Sequence, residues 1–163
     1  MSNRTAWTAG NGVGLTWTTL INSADMASMA NGSTVVSSVA DIANGTNLDM
    51  FMDISASLVI ASSTIVAGAN LAYWIYALNQ DGTTYGDGQF TNGTQAAKTP
   101  TFASCAVMPL VAAASQTALI GFSQQIIIPP GSFRVAIQNN SGFALTSGTQ
   151  TVKYRTYNIN LNN

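Results

Sequence analysis

The sequence has no histidine and no glutamate, and its one cysteine is Cys105. Without histidine the commonest general base is missing, and with it the usual serine and cysteine triads. Metal centres built on histidine or on several cysteines are excluded by the same count. Cys105 cannot form an internal disulfide. It sits in the apolar run FASCAVMPLV, which predicts a small, buried core side chain.

Charge is scarce as well. Asp, Lys and Arg make up 7% of the chain, the formal net charge is -1 and the pI is about 4.8. An ordinary domain carries roughly 25% charged residues. No basic field exists to hold phosphates, so nucleic acid is not an expected partner. Nothing in the balance suggests a membrane surface, and no apolar run is long enough to span a bilayer. Paired carboxylates would have to come from six aspartates. Asp49 and Asp53 lie four apart on one face of a strand, roughly 13 Å by strand rise. That is too far for a retaining glycosidase pair and beyond the usual inverting range. The glycine-containing stretches carry no lysine in a phosphate-loop context. These absences predict a protein that is not an enzyme and has no cofactor and no metal.

What remains is a chain of 163 residues, 47% hydrophobic, enough for one domain with a real core. Its surface must be covered by Ser, Thr, Asn, Gln and Gly, which suits a protein that lives assembled or outside a cell. The start, MSNRTAWTAGNG, lacks the basic end and apolar core of a secretory signal. The pair of observations predicts a virion component made in the host cytoplasm and released by lysis. A secreted protein stripped of its leader would look the same.

The stretch LDMFMDISASLVI, Leu48 to Ile60, organises the rest. Leu48, Met50, Met52, Ile54, Ala56, Leu58 and Ile60 fall on every second position, which predicts a strand with one apolar face. Phe51 and Val59 share the other face with Asp49 and Asp53, predicting partial cover by a loop or a neighbouring subunit. Residues 1–12 read as an extended arm ahead of a single domain over 13–163, with Arg4 and Trp7 its informative residues. They either tuck against their own domain or reach a partner. A first strand is expected over Val13 to Ile21, then a two-turn helix near 23–30 with Met26 and Met29 on one face.

Thr34 to Ile42 reads as a weaker strand, with an Asn44-Gly45 turn behind it. Leu71 to Leu78 (LAYWIYAL) is apolar or aromatic on both faces and should be covered on both. Trp74 and Tyr76 are the candidates there for an inter-subunit contact, against a loop flap or an internal position. The Asp81 and Asp87 loop could suggest calcium, but its spacing matches no EF-hand and Asp-Gly is a common turn pair. Pro109 is expected near the end of its strand or on an edge. Ile120, Phe122, Gln124, Ile126 and Ile128 alternate, and Phe133, Val135 and Ile137 resume after the Pro129-Pro130-Gly131 turn. In the last strand the apolar phase switches near Arg155-Thr156, predicting a β-bulge or a change of buried face.

Seven to nine short strands with one helix predict an all-β antiparallel β-sandwich. A jelly roll fits best and an immunoglobulin-like sandwich is the alternative. Four segments, LINSADMASMANGSTVVSSVADI, NLDMFMDISASLVI, AYWIYALNQDGTTYGDG and IIIPPGSFRVAIQNNSG, together resemble the head decoration (cement) proteins of tailed bacteriophages. The resemblance implies a jelly roll that binds the outer surface of the phage head and bridges capsomers. It implies the major capsid protein and further copies of itself, as dimer or trimer, as partners. Arg4, Trp7, Trp74 and Tyr76 are the interface residues expected on this reading. The competing class is a receptor- or carbohydrate-binding domain of a tail fibre, with Trp74, Tyr76 and Tyr85 as sugar-stacking candidates.

Overall fold

The computed structural model describes residues 4–8, 15–37, 41–60, 66–86, 93–95, 100, 104–112 and 118–162. The chain is all-β apart from one helical turn. Its strands are β1 (Arg4–Thr8), β2 (Thr18–Ile21), β3 (Thr34–Val36), β4 (Ile42–Ala43), β5 (Phe51–Val59), β6 (Asn70–Ala77), β7 (Gly93–Gln95), β8 (Ala106–Ala112), β9 (Ala118–Ile127), β10 (Ser132–Asn140) and β11 (Thr151–Asn162). They pair in the order β1-β11-β5-β9-β8-β6-β10-β3-β7, every pairing antiparallel, and the sheet nearly closes into a barrel. β2 adds to β11 and β4 to β10.

The interior is one hydrophobic core. Met52, Ile54, Ala56 and Leu58 on β5 alternate into it as the sequence predicts, meeting Leu71 and Tyr73 from β6 and Val135 and Ile137 from β10. The Tyr73 hydroxyl reaches the Ser123 hydroxyl on β9 at 2.8 Å, so this polar tip is satisfied at its far end.

Proline explains how two layers become one sheet. β8 pairs with β6 through Ala106–Pro109 and with β9 through Leu110–Ala112. Pro109 stands where the partner changes, and a residue without an N–H costs least at such a point. The Pro129-Pro130-Gly131 turn does similar work. β9 and β10 flank it without pairing to each other, so it is a corner between layers and not a hairpin. Gly131 takes φ 126 there.

Several expectations need correction. The central strand begins at Phe51, and Leu48 and Met50 are exposed instead of joining the apolar row. The cause is Asn44. Its Nδ2 donates to the carbonyls of Asp49 and Pro129, both at 2.8 Å, and its Oδ1 accepts the Asp49 N–H at 2.7 Å. That clasp holds the chain out of strand geometry, with Leu48 at φ 50. The helix α1 covers only Ser23–Met26, because Ala27 turns to an extended conformation and Ser28 to φ 58. Met26 and Met29 still cap the core together. The strand expected over Val13 to Ile21 is β2, four residues long, with Trp17 outside it, and Val13 lies outside the described residues. The predicted strand Thr34 to Ile42 is two short strands, both on the same edge of β10.

Cys105 is exposed, not buried. It precedes β8, and its sulfur accepts the Ile75 N–H at 3.2 Å from outside the core. In β11 the buried face does change. Val152 is in the core and Tyr154 packs against it, while Tyr157 is buried on the opposite face. Against β5 there is no bulge, since β11 stays in register from Thr151 to Tyr157, and the register shift in its pairing with β2 lies earlier, at Val152 and Lys153. The outer face is simply covered at that end.

Candidate functional site

Each of the two layers has an outer face, and the two differ. Outside β6 and β10, Ala72, Trp74 and Tyr76 pack with Val36, Ala136 and Tyr85 into a second apolar cluster. Tyr85 closes it from the following loop, joined by an isolated bridge from Leu78. The Arg134 guanidinium lies 4.8 Å from the centre of the Tyr85 ring, and its Nε donates to Asp41 at 2.7 Å. Burial pushes the Asp41 carboxyl up, but Tyr85 and Arg134 outweigh it and hold the group below its ordinary value. Trp74 and Tyr76 are therefore covered by a loop of their own chain, in which Tyr85 is itself buried. None of the three presents a ring face for stacking on a sugar. β6 is covered on both sides, as its sequence requires.

Outside β5, β9 and β11 the cover is partial. A bulge in β9 decides this. Met52 pairs with Ile126 and Ile54 with Ser123, so three steps on β9 match two on β5. Gln125 absorbs the extra residue at φ 56, and its N–H donates to Asp53 Oδ1 at 3.0 Å. The bulge flips the phase of the strand. Ile126 and Ile128 turn inward after it, but before it the inward residues are Leu119, Gly121 and Ser123. Ile120 and Phe122 are left outside, which corrects the single alternating row read from the sequence.

Asp53 is the hub of the covered part. Its carboxylate is buried and accepts from Arg155 Nε at 2.9 Å, Arg155 Nη2 at 2.8 Å and the Tyr157 hydroxyl at 2.8 Å. Arg155 in turn lies 4.8 Å from the centre of the Trp17 ring, and Trp17 meets Phe122 edge to face at 6.0 Å. Phe51 stacks on Tyr157 at 5.9 Å. Asp49 and Asp53, expected on the partly covered second face, are both buried, Asp49 taking Asn158 Nδ2 at 3.1 Å.

Among the described residues, two apolar surfaces are exposed. On the face of β8 and β9, Val107, Val111, Ile120 and Phe122 are 44% to 57% exposed, with Val111 and Ile120 directly paired across the strands. Val111, Ile120 and Phe122 border a groove of about 520 Å³ floored by Ser55 and Ser57 of β5 and walled by Pro109. At the end of the same layer, Leu48, Met50 and Ile127 are more than half exposed, Ile127 by 78%, around a smaller groove of about 270 Å³. Among the described residues no set of three or more Asp, Cys or similar ligands comes together for a metal. Asp81 is engaged in its own turn, taking the N–H groups of Thr83 and Thr84 at 2.8 and 2.9 Å, and Asp87 lies outside the described residues.

The N-terminal arm is placed in part. Arg4–Thr8 forms β1, whose backbone pairs with Asn158–Asn162 at one edge of the sheet. Arg4 and Trp7 stand in that strand, and residues 1–3 and 9–12 lie outside the described residues.

Sequence reasoning missed the exposed row on β8 and β9. The signal was faint. In Val107 to Val111 both phases are apolar, and only the adjacent Gln124 and Gln125 hint at a break in the β9 alternation.

No protein-family model matches this chain, and neither a curated protein nor a solved structure is detectably similar to it.

Proposed function

We propose that the protein is a structural virion component, a jelly-roll decoration or cement protein that binds the outer surface of a phage head and bridges capsomers. Its partners on this reading are the major capsid protein and further copies of itself. The observation that supports it is the presence of two separate apolar surfaces on one β-sheet, the β8–β9 face and the end marked by Leu48, Met50 and Ile127. A bridging protein needs at least two contacts, and apolar patches of this kind mark interaction sites. Affinity would come from modest contacts repeated over a lattice, not from chemistry. Surfaces without charge also keep their hold as salt rises.

The test is copy number in purified particles, measured by quantitative mass spectrometry against the main shell protein. A simple ratio to the shell supports a lattice role. Absence from particles overturns it.

A second reading has one observation behind it. Trp17 and Phe122 flank the serine-floored groove, and aromatic walls with hydroxyl donors suit a sugar. This is the tail-fibre alternative moved to different residues. Binding to a glycan array that is lost in Trp17→Ala would favour it.

A further inference from the structure

The clasp at Asn44 is built on a chemically unstable sequence. Asparagine followed by glycine is the pair most open to deamidation, in which the glycine nitrogen attacks the side-chain carbonyl carbon. Glycine has no side chain to shield that nitrogen. The chain has this pair at Asn11, Asn31, Asn44 and Asn92. Asn11 and Asn92 lie outside the described residues, and the other two are placed very differently. Asn31 is exposed, and its Oδ1 accepts the Gly142 N–H at 2.8 Å, a bond that a carboxylate oxygen makes equally well. Asn44 is 2% exposed and uses its amide as a donor, to the carbonyls of Asp49 and Pro129. A carboxylate can give neither bond.

We propose that Asn44-Gly45 is a conditional modification site, protected while the clasp is closed and converted irreversibly once it opens. In the step, the Gly45 nitrogen bonds to Asn44 Cγ, the Cγ–Nδ2 bond breaks, and the Gly45 proton leaves with the amide nitrogen as ammonia. Water then opens either C–N bond of the cyclic imide. One opening gives aspartate, and the other gives isoaspartate, with the side-chain carbon drawn into the backbone. In the closed clasp both acceptor carbonyls hold the amide nitrogen at 2.8 Å, and the Asp49 N–H holds its oxygen at 2.7 Å, so the nitrogen cannot leave. The backbone of the same residue is pinned too, its N–H on the Gly131 carbonyl at 3.2 Å and its carbonyl under the Leu48 N–H at 3.0 Å. Gly45 itself is exposed, so water reaches the pair once the side chain swings out. After conversion, two buried carbonyls would face a carboxylate in place of their donors, and the clasp cannot close again. The approach to β5 and the Pro129-Pro130-Gly131 corner ahead of β10 are then released together. A copy that has opened is marked, and its loss of the native state becomes one-way.

The experiment holds the purified full chain at mildly alkaline pH, native in one arm and in guanidinium in the other, and follows the Asn-Gly pairs by peptide mass mapping. Asn44 is expected to convert on the order of a hundredfold more slowly in the native arm, because local opening must come first. The denatured arm is stopped at partial conversion and diluted into buffer, and refolded chains are separated from those that stay unfolded. Converted Asn44 should collect in the unfolded fraction, while converted Asn31 is shared equally between the two. Conversion of Asn44 at the same rate in both arms overturns the proposal, as does converted Asn44 in full proportion among the refolded chains. Asn44→Asp makes the comparison without the ageing step. It should lower the denaturant midpoint or abolish folding, while Asn31→Asp stays at the wild-type midpoint, and equal midpoints for the two variants overturn the proposal too. None of these readouts involves a phage particle, so the virion reading and this site stand or fall separately.

Discussion

Asp53 and Arg155 face each other across β5 and β11, and the guanidinium reaches one carboxylate oxygen through both Nε and Nη2, at 2.9 and 2.8 Å. The other oxygen takes Tyr157 and the N–H of the bulged Gln125. One buried carboxylate therefore ties β5, β9 and β11 together and holds the bulge that exposes Ile120 and Phe122. Asp53→Ala should cost about 3 kcal/mol, because it strands these donors beneath the outer cover. Arg155→Ala should cost less, about 1 to 2 kcal/mol, since Asp53 keeps two donors and the lost head group is partly solvated. Denaturant unfolding of both variants orders the two effects. Equal losses would show that the bulge does not depend on the carboxylate.

Gly142 and Gly68 share a left-handed backbone, with φ 88 and 82, but only one of them is crowded. A Cβ on Gly142 would sit 2.7 Å from Val66 Cγ2 and 3.0 Å from Val66 Cβ, while Gly68 has open space around it. Gly68→Ala should cost about 1 kcal/mol, the price of the conformation alone. Gly142→Ala adds overpacking and should cost about 2 to 3 kcal/mol. Thermal melts of the two variants, side by side, isolate the steric part.

The pH profile of stability should be a broad plateau with two edges. Burial and the hydrogen bond to Asp53 push the Tyr157 phenol up to about 12, from an ordinary 10.0. The folded state thus favours the neutral phenol. That contribution is whole below pH 10 and is lost as pH rises from 10 to 12. Burial raises Tyr73 and Tyr154 as well, which steepens the alkaline edge. On the acid side, hydrogen bonds from Thr84 and Thr83 hold Asp81 at about 2, below its ordinary 3.8. Its contribution is present above pH 4 and lost as pH falls toward 2. With no histidine and no glutamate, the interval between has few groups to titrate. Chemical denaturation at stepped pH checks the plateau, and Tyr157→Phe should blunt its alkaline edge.

The sequence made the inward row of β5 legible because burial and alternation agree from Met52 to Leu58. It made the two-sided cover of β6 legible for the same reason. It failed where a distant side chain sets the backbone. Asn44 breaks the row at Leu48 and Met50 through bonds to Asp49 and Pro129, and no local pattern announces a contact 85 residues away. It failed again at Gln125, where one inserted residue exchanges the faces of half a strand. Cys105 was misplaced because the apolar run FASCAVMPLV straddles the strand start, and only the part from Ala106 belongs to β8.

The exposed Cys105 gives a direct check of that correction. A thiol at the surface, tied only by the weak acceptance of the Ile75 N–H, should react stoichiometrically with a thiol-specific dye in the native protein. Reaction only after denaturation would return Cys105 to the core. Cys105→Ser should leave stability within about 0.5 kcal/mol, the usual range for surface substitutions.

The edge strand β1 separates folding from assembly. Its backbone pairs only with the far end of β11, while Thr151–Tyr157 is already held by β5 and β2. Deleting the first eight residues therefore removes a backbone ladder at one rim of the sheet. It also uncovers the Asn158–Asn162 edge, leaving a row of unpaired backbone groups. The truncated protein should keep its far-ultraviolet spectrum and its cooperative melt, at a somewhat lower temperature. If the arm also contributes to contact with a shell, binding of the truncated protein to heads should fall. Unchanged head binding would confine the arm to its own sheet.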